Sequence, residues 1–281
     1  SSPHGQGTET TMAQIAADEL GLPFDDVDVQ YNDTLGTPFG YGTYGSRSAA
    51  VGGTALYNAV QKVKQKAIRI GAHMLEASAE DVVYEDGKVS VKGSPDQAKT
   101  IQEIAGAAAL GYSLPEGDEP FLDETAYFDP PNTTWPFGTH ICIVEVEKDT
   151  GSVKVNKYLA VDDVGNVVNP MIVDGQIHGG IAQGVAQALW ESGEYNESGQ
   201  LVSGSLMDYA IPRTDCLPNF ELDRTVTLSP TNPLGVKGVG ETGTIASTPA
   251  VVNAVMDALA PFGVTNLNMP LTSQKIWNAI Q

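Results

Sequence analysis

Apolar residues recur at helical spacing in several stretches of the chain. Met12, Ile15, Ala16 and Leu20 follow an i, i+3, i+4, i+8 pattern, and Gly21 stands where a C-terminal cap would end a helix. A second helix is expected from about Ala49 to Ala77. A third opens at Thr100-Ile101-Gln102-Glu103, which has capping-box spacing, and runs to about Leu110. Residues 169–189 read as a helix rich in small residues and glutamines. Val251, Val252, Val255, Met256 and Leu259 form another, with Ser247 as its expected cap and Pro249 in its first turn, and Thr272 caps a last short helix through Ile280.

Other stretches alternate with period two. Val27-Asp28-Val29-Gln30-Tyr31 predicts a strand. Val82 to Tyr84 and Val89 to Val91 flank Glu85-Asp86-Gly87-Lys88, a hairpin signal. Ile141 to Val146 and Val153 to Val161, joined by a turn at 148–151, read as a β-meander, and a further strand is expected near Phe220-Glu221-Leu222. Asn196 to Gly199 marks another hairpin turn. These elements predict an α+β chain of two α/β lobes with mixed sheets. The lobes would cover about 1–112 and about 135–281, joined by a linker over 113–134 that is rich in Pro, Gly, Asp and Glu.

Composition narrows the partners. With 35 acidic and 15 basic side chains, the formal charge of -20 repels nucleic acid and anionic lipid surfaces. No apolar run reads as a membrane span or a signal peptide. Two cysteines, Cys142 and Cys216, are too few for an iron–sulfur cluster or a tetrahedral zinc site. Cys142 lies in Ile141-Cys142-Ile143-Val144 and reads as a buried, inert thiol.

The candidate chemistry centres on residues 233–244, where Gly235, Gly238, Gly240 and Gly243 surround one carboxylate, Glu241. Glycines let backbone approach another group closely, so Glu241 is the first candidate for catalysis. A phosphate-binding P-loop is excluded, because Gly238 follows Lys237 where that motif needs Ser or Thr. Gly5-Gln6-Gly7 feeds the first helix. The long Gly/Tyr/Ser segment 36–48 ends in Gly45-Ser46-Arg47-Ser48 at a helix entrance, where Arg47 either grips a diphosphate or pairs with acidic neighbours on the surface. Gly175, Gly179, Gly180 and Gly184 make 169–189 a costly helix, at roughly 1 kcal/mol per glycine relative to alanine, unless another backbone or a ligand comes close. Gln176 in that helix offers a donor and an acceptor to a heterocycle or oxo group, while His178 has no metal-spaced partner and reads as structural.

Taken in order, Pro3-His4-Gly5-Gln6-Gly7, Gly42-Thr43-Tyr44-Gly45-Ser46-Arg47-Ser48, Val173-Asp174-Gly175-Gln176-Ile177-His178-Gly179-Gly180 and Gly235-Val236-Lys237-Gly238-Val239-Gly240-Glu241 resemble the molybdenum hydroxylases of the xanthine oxidase family. The nearest flavour is the aerobic carbon monoxide dehydrogenase-like large subunit, and the resemblance corresponds to its second molybdopterin-binding domain. It implies that the amino-terminal hammerhead domain and first molybdopterin-binding domain have no counterpart here. It implies a molybdenum–molybdopterin cofactor, as the cytosine dinucleotide, held by its pterin dithiolene with no protein metal ligand. Gln6, Gly7, Gly45, Ser46, Arg47 and Ser48 would contact the dinucleotide, Gln176 the pterin, and Lys237, Gly238, Val239 and Gly240 would bring backbone toward the metal.

Glu241 matches the family's general base, which takes a proton from a metal-bound hydroxide during oxidation of an aldehyde or N-heterocycle. The resemblance further implies a cytoplasmic protein, partner subunits carrying FAD and iron–sulfur clusters, and an apolar face that makes the isolated chain self-associate. The alternative left open is a cofactor-binding or interaction domain with no turnover of its own.

Overall fold

A computed structural model describes residues 1–37 and 39–281; Pro38, within the Gly/Tyr/Ser segment, lies outside the described residues. The chain is α+β and divides into two compact units, one of residues 1–133 with 230–235 and one of residues 134–229 with 236–281. Residues 113–133, rich in Pro and acid, fall within the first unit.

In the first unit, α1 (Thr8–Leu20) ends at Gly21, whose φ of 62° is the left-handed cap read from the sequence. A π-helical turn over Ser48–Gly53 leads into α2 (Thr54–Met74). β1 (Val82–Glu85), β2 (Lys88–Val91) and β3 (Ser94–Thr100) form an antiparallel sheet in that order. Asp86 and Gly87, with φ of 46° and 72°, make the tight turn between β1 and β2 that Asp-Gly favours. β3 carries no apolar alternation and contains Pro95, which an edge strand tolerates because one row of its amides needs no ladder partner. The capping box at Thr100 is complete and opens α3 (Ile101–Leu110). Helices and sheet close over Ala67, Ile70, Val82, Val89, Ile104 and Ala108.

The strand expected at Val27 to Tyr31 does not form. Val27 and Val29 turn partly inward and the polar residues between them face out, so the period-two pattern is realised, but no strand among the described residues pairs with the run.

The second unit is built on β4 (Phe137–Glu147), β5 (Ser152–Asp163) and β6 (Phe220–Thr225). β5 lies in the middle, antiparallel to β4 and parallel to β6, so this sheet is mixed. α4 (Pro170–Leu189), α5 (Thr242–Leu259) and α6 (Ser273–Ile280) complete the unit. Tyr158 and Ala160 of the sheet meet Ile177, Ile181 and Val185 of α4 and Val251, Val255 and Leu259 of α5 in one core. The opposite sheet face carries Phe137, Ile141, Ile143 and Val161, all exposed.

α5 begins earlier than the sequence reading placed it. Ser247 is not its cap: it is fully buried inside the helix, which starts at Thr242 with Glu241 as its N-cap residue. Pro249 is therefore interior, on the exposed side, where water can serve the carbonyl it leaves without an amide. The stretch Thr242–Phe262, with mean hydropathy 1.3, is long and apolar enough to cross a membrane by length and composition, which the sequence reading had not credited to any run. Its buried residues Gly243, Ser247, Val251, Val255 and Leu259 recur every fourth position and form the stripe turned to the core.

Candidate functional site

In the first unit the two amino-terminal motifs stand side by side. α1 and α2 run parallel, because Met12 and Ile15 lie against Gly52 and Gly53 while Glu19, further along α1, accepts from Gln61 and Lys64 further along α2. Both helices therefore begin at one end. The Ser2 amide and the Ser48 hydroxyl both donate to the Thr43 hydroxyl, at 3.0 and 3.2 Å, and join the segments that lead into them. Gly7, Gly45 and Ser46 take φ of 81°, 58° and 52°, which turns the chain sharply at each helix entrance.

The polar groups there have distinct capacities. Gln6 accepts from the His4 amide at 2.7 Å through Oε1, while its Nε2 is buried with no hydrogen-bond partner among the described residues. Such an orphaned donor costs about 1–3 kcal/mol unless an acceptor is supplied. Glu9 stands in the first turn of α1 and repels an anion, so a neutral acceptor such as a heterocycle edge suits Gln6. The turn entered through Arg47 and Ser48 has no acid in its first turn and suits a phosphate better. The Arg47 guanidinium donates to the Tyr44 hydroxyl at 2.8 Å and sits 5.2 Å over that ring, which holds it at the helix entrance. The donor set fits a molecule with a ring at one end and a phosphate at the other.

In the second unit the glycine loop is tied down on both sides of its carboxylate. Val236 bridges Gly165, and the Lys237 amide donates to the Val164 carbonyl at 2.8 Å. The Lys237 ammonium is buried, 2.8 Å from Asp163 and 4.5 Å over the Phe137 ring. Burial works against the charge on Asp163, but hydrogen bonds from Lys237, Thr227, the Gly165 amide and Thr225 outweigh it and hold the carboxyl at about 2. Past the loop, Thr242 donates through its amide to Val239 and through its hydroxyl to Gly238. Glu241 is exposed at the start of α5, and Gln176 is half-buried on α4.

α4 and α5 touch backbone to backbone. A Cβ on Gly243 would lie 2.5 Å from the Ile177 carbonyl, and one on Gly180 would lie 2.9 Å from the Gly243 Cα. Gly184 lies against the Ser247 hydroxyl and the Thr248 amide and hydroxyl, whereas among the described residues nothing lies within 4 Å of a Cβ added to Gly175 or Gly179. Close approach of a second helix thus explains Gly180 and Gly184. Gly175 and Gly179 open a smooth face of α4 beside Gln176.

A family model for the molybdopterin cofactor-binding domain matches residues 1–218. The chain belongs to this family. Over 277 residues it is 44% identical to the carbon monoxide dehydrogenase large chain of Hydrogenophaga pseudoflava, covering 99% of this chain and 34% of that one. It is 41% identical to the nicotine 6-hydroxylase large subunit of Paenarthrobacter nicotinovorans, covering 98% and 34%. The solved quinoline 2-oxidoreductase of Pseudomonas putida 86 superposes with a TM-score of 0.92 at 42% identity, covering 99% of this chain and 36% of that one. This molybdopterin-binding chain spans about a third of the length of the relatives it matches.

Of the residues singled out from the sequence, Gln6, Gly7 and Gly45 to Ser48 lie in the first unit, and Gln176, Lys237 to Gly240 and Glu241 in the second. Sequence reasoning missed Asp163 and the buried chain His140–Tyr158–Asp162. The His140 ring sits 2.9 Å from the Tyr158 hydroxyl and 3.2 Å from Asp162. Burial, with Cys142 and Asp162 nearby, pushes the Tyr158 hydroxyl well above its ordinary range. The available signal was Val161-Asp162-Asp163-Val164, two acids inside an apolar strand pattern. His178 is structural in setting: it bonds the Asp174 carbonyl and stacks on Phe220. Among the described residues no group of three or more His, Cys, Asp or Glu is placed to hold a metal.

Proposed function

We propose that this chain contributes the general base of a molybdenum hydroxylase that oxidises an aldehyde or N-heterocycle with water-derived oxygen. The observation that carries the reading is Glu241. It is an exposed carboxylate at the N-cap position of α5, and the chain is fixed before it at Val236–Lys237 and after it at Gly243. A carboxylate so held takes up a proton at one fixed place, which is what a general base requires. The names of relatives that act on nicotine and quinoline, both nitrogen heterocycles, favour that substrate class.

The cofactor of the reading is molybdenum–molybdopterin cytosine dinucleotide, and when bound it supplies the redox and oxygen-transfer chemistry. Gln6, through its buried Nε2, with Gly7 and Gln176 would hold ring edges, while Gly45, Ser46, Arg47 and Ser48 would hold the phosphates. Lys237 to Gly240 would present backbone. The rest of the large subunit and subunits carrying FAD and iron–sulfur clusters complete the proposal, and the exposed Phe137, Ile141 and Ile143 give the chain an apolar face to cover.

The test is Glu241→Gln in enzyme assembled by co-expression with its neighbouring subunits. Turnover is expected to fall by roughly 10²–10⁴-fold with molybdenum and cytidine content unchanged. Undiminished turnover would refute the assignment. The match to only a third of each relative supports a second reading, in which the chain by itself binds cofactor without turnover.

A further inference from the structure

We infer that Lys237 is a positioning residue, whose buried ion pair with Asp163 aims the Glu241 carboxylate; this rests on the reading of Glu241 as general base. Between Lys237 and Thr242 the chain carries Gly238 and Gly240, which have no side chains to pack, Val239, which packs on the core, and the exposed Glu241. The path of the backbone that carries Glu241 depends on what anchors each end of this stretch. Downstream, Gly243 lies on the backbone of α4. Upstream, the anchors are the Val236–Gly165 bridge, the Lys237 amide on Val164 and the Lys237 ammonium on Asp163.

The ammonium is the strongest of these. Asp163 is fully buried, accepts also from the Gly165 amide and the Thr225 hydroxyl at 3.1 Å each, and so forms a fixed socket at the end of β5. The Phe137 ring covers the other side of the ammonium. The amide hydrogen bond and the side-chain ion pair of one residue thus meet adjacent residues of one strand end, which fixes both the position and the rotation of the chain four residues before the base. The ammonium is held away from solvent, so its work is to place the loop.

Hydrogen exchange on the full chain, followed by kinetics of the assembled enzyme, tests this in Lys237→Met and Lys237→Arg. Methionine keeps the length and removes the charge. Amides of 238–245 should exchange about tenfold faster in Lys237→Met, while those of 141–146 and 251–259 stay protected, and arginine should restore much of the protection. In the assembled enzyme kcat should fall roughly 10–100-fold, with KM and cofactor content little changed. Equal loss of protection throughout the second unit would make the pair merely structural, and unchanged exchange at 238–245 would remove the anchor; either overturns the inference. Loss of cofactor in step with kcat would overturn it too, by making the Lys237 side chain a cofactor contact in addition to its backbone.

If Lys237→Met does not fold, the double variant Asp163→Asn with Lys237→Met leaves no buried charge unpaired and is judged by the same comparison. A fully active Glu241→Gln enzyme would instead refute the general-base reading, and the exchange result would stand apart from it.

Discussion

The contact between α4 and α5 makes a sharp prediction at Gly243. Alanine there would set its methyl 2.5 Å from the Ile177 carbonyl, 2.8 Å from the Ile181 amide and 3.0 Å from the Gly180 Cα. All three are backbone atoms, so no side chain can swing aside, and the helices must part by roughly 1 Å to reach ordinary contact. Overpacking of this kind costs about 1–3 kcal/mol, against at most about 1 kcal/mol gained in helix propensity. Gly243→Ala should therefore lose about 1–2 kcal/mol, which for a unit of this size lowers Tm by roughly 3–6 °C.

Gly179→Ala is the matched control. It lies on the partner helix with nothing within 4 Å, so it should gain about 0.5–1 kcal/mol. Tryptophan fluorescence during urea and thermal unfolding is the suitable assay, because Trp135, Trp190 and Trp277 all lie in the second unit and report on it alone. A Gly243→Ala chain that melts with or above the wild type, or two variants that fall together, would refute the packing argument.

Two further outcomes follow from charge and burial. Folding lowers the Asp163 carboxyl from 3.8 to about 2, so its stabilisation is present above about pH 4 and is lost as pH falls toward 2. Asp163→Asn should remove about 2 kcal/mol of that acid-side decline in unfolding free energy, and equal slopes in both proteins would contradict it. Burial pushes the Cys142 thiol up to about 11, while Cys216 is exposed, so iodoacetamide at pH 8 should label Cys216 first by mass spectrometry. Simultaneous labelling would show that β4 opens readily.

Local chemistry was the part of the fold most legible in the sequence. The Thr100–Glu103 capping box, the Asp86-Gly87 turn, the Gly21 stop and the Thr272 cap each depend on neighbours within a few residues, and each forms as read. What escaped depends on distant partners. Val27 to Tyr31 has the pattern of a strand, but pattern cannot supply a neighbouring strand, whereas β3 lacks the pattern and pairs at an edge. Ser247 reads as a cap because Pro249 two residues on suits the first turn of a helix; its burial against Gly184 shows only when α4 is in place. At the site, Glu241 and its glycines stand out by composition. Asp163, 74 positions from Lys237, becomes visible only through the bond between them.

The return of residues 230–235 to the first unit bears on how such a chain is made and inherited. Leu234 packs on Gly53, yet at about 5–20 residues per second of synthesis it emerges only after β4, β5, α4 and β6 have left the ribosome. The first unit waits, incomplete, while most of the second is already available to fold. A gene broken at residue 133 would leave one product short of this returning segment and the other carrying it without a seat. A break at that boundary would therefore separate the returning segment from its seat in the first unit.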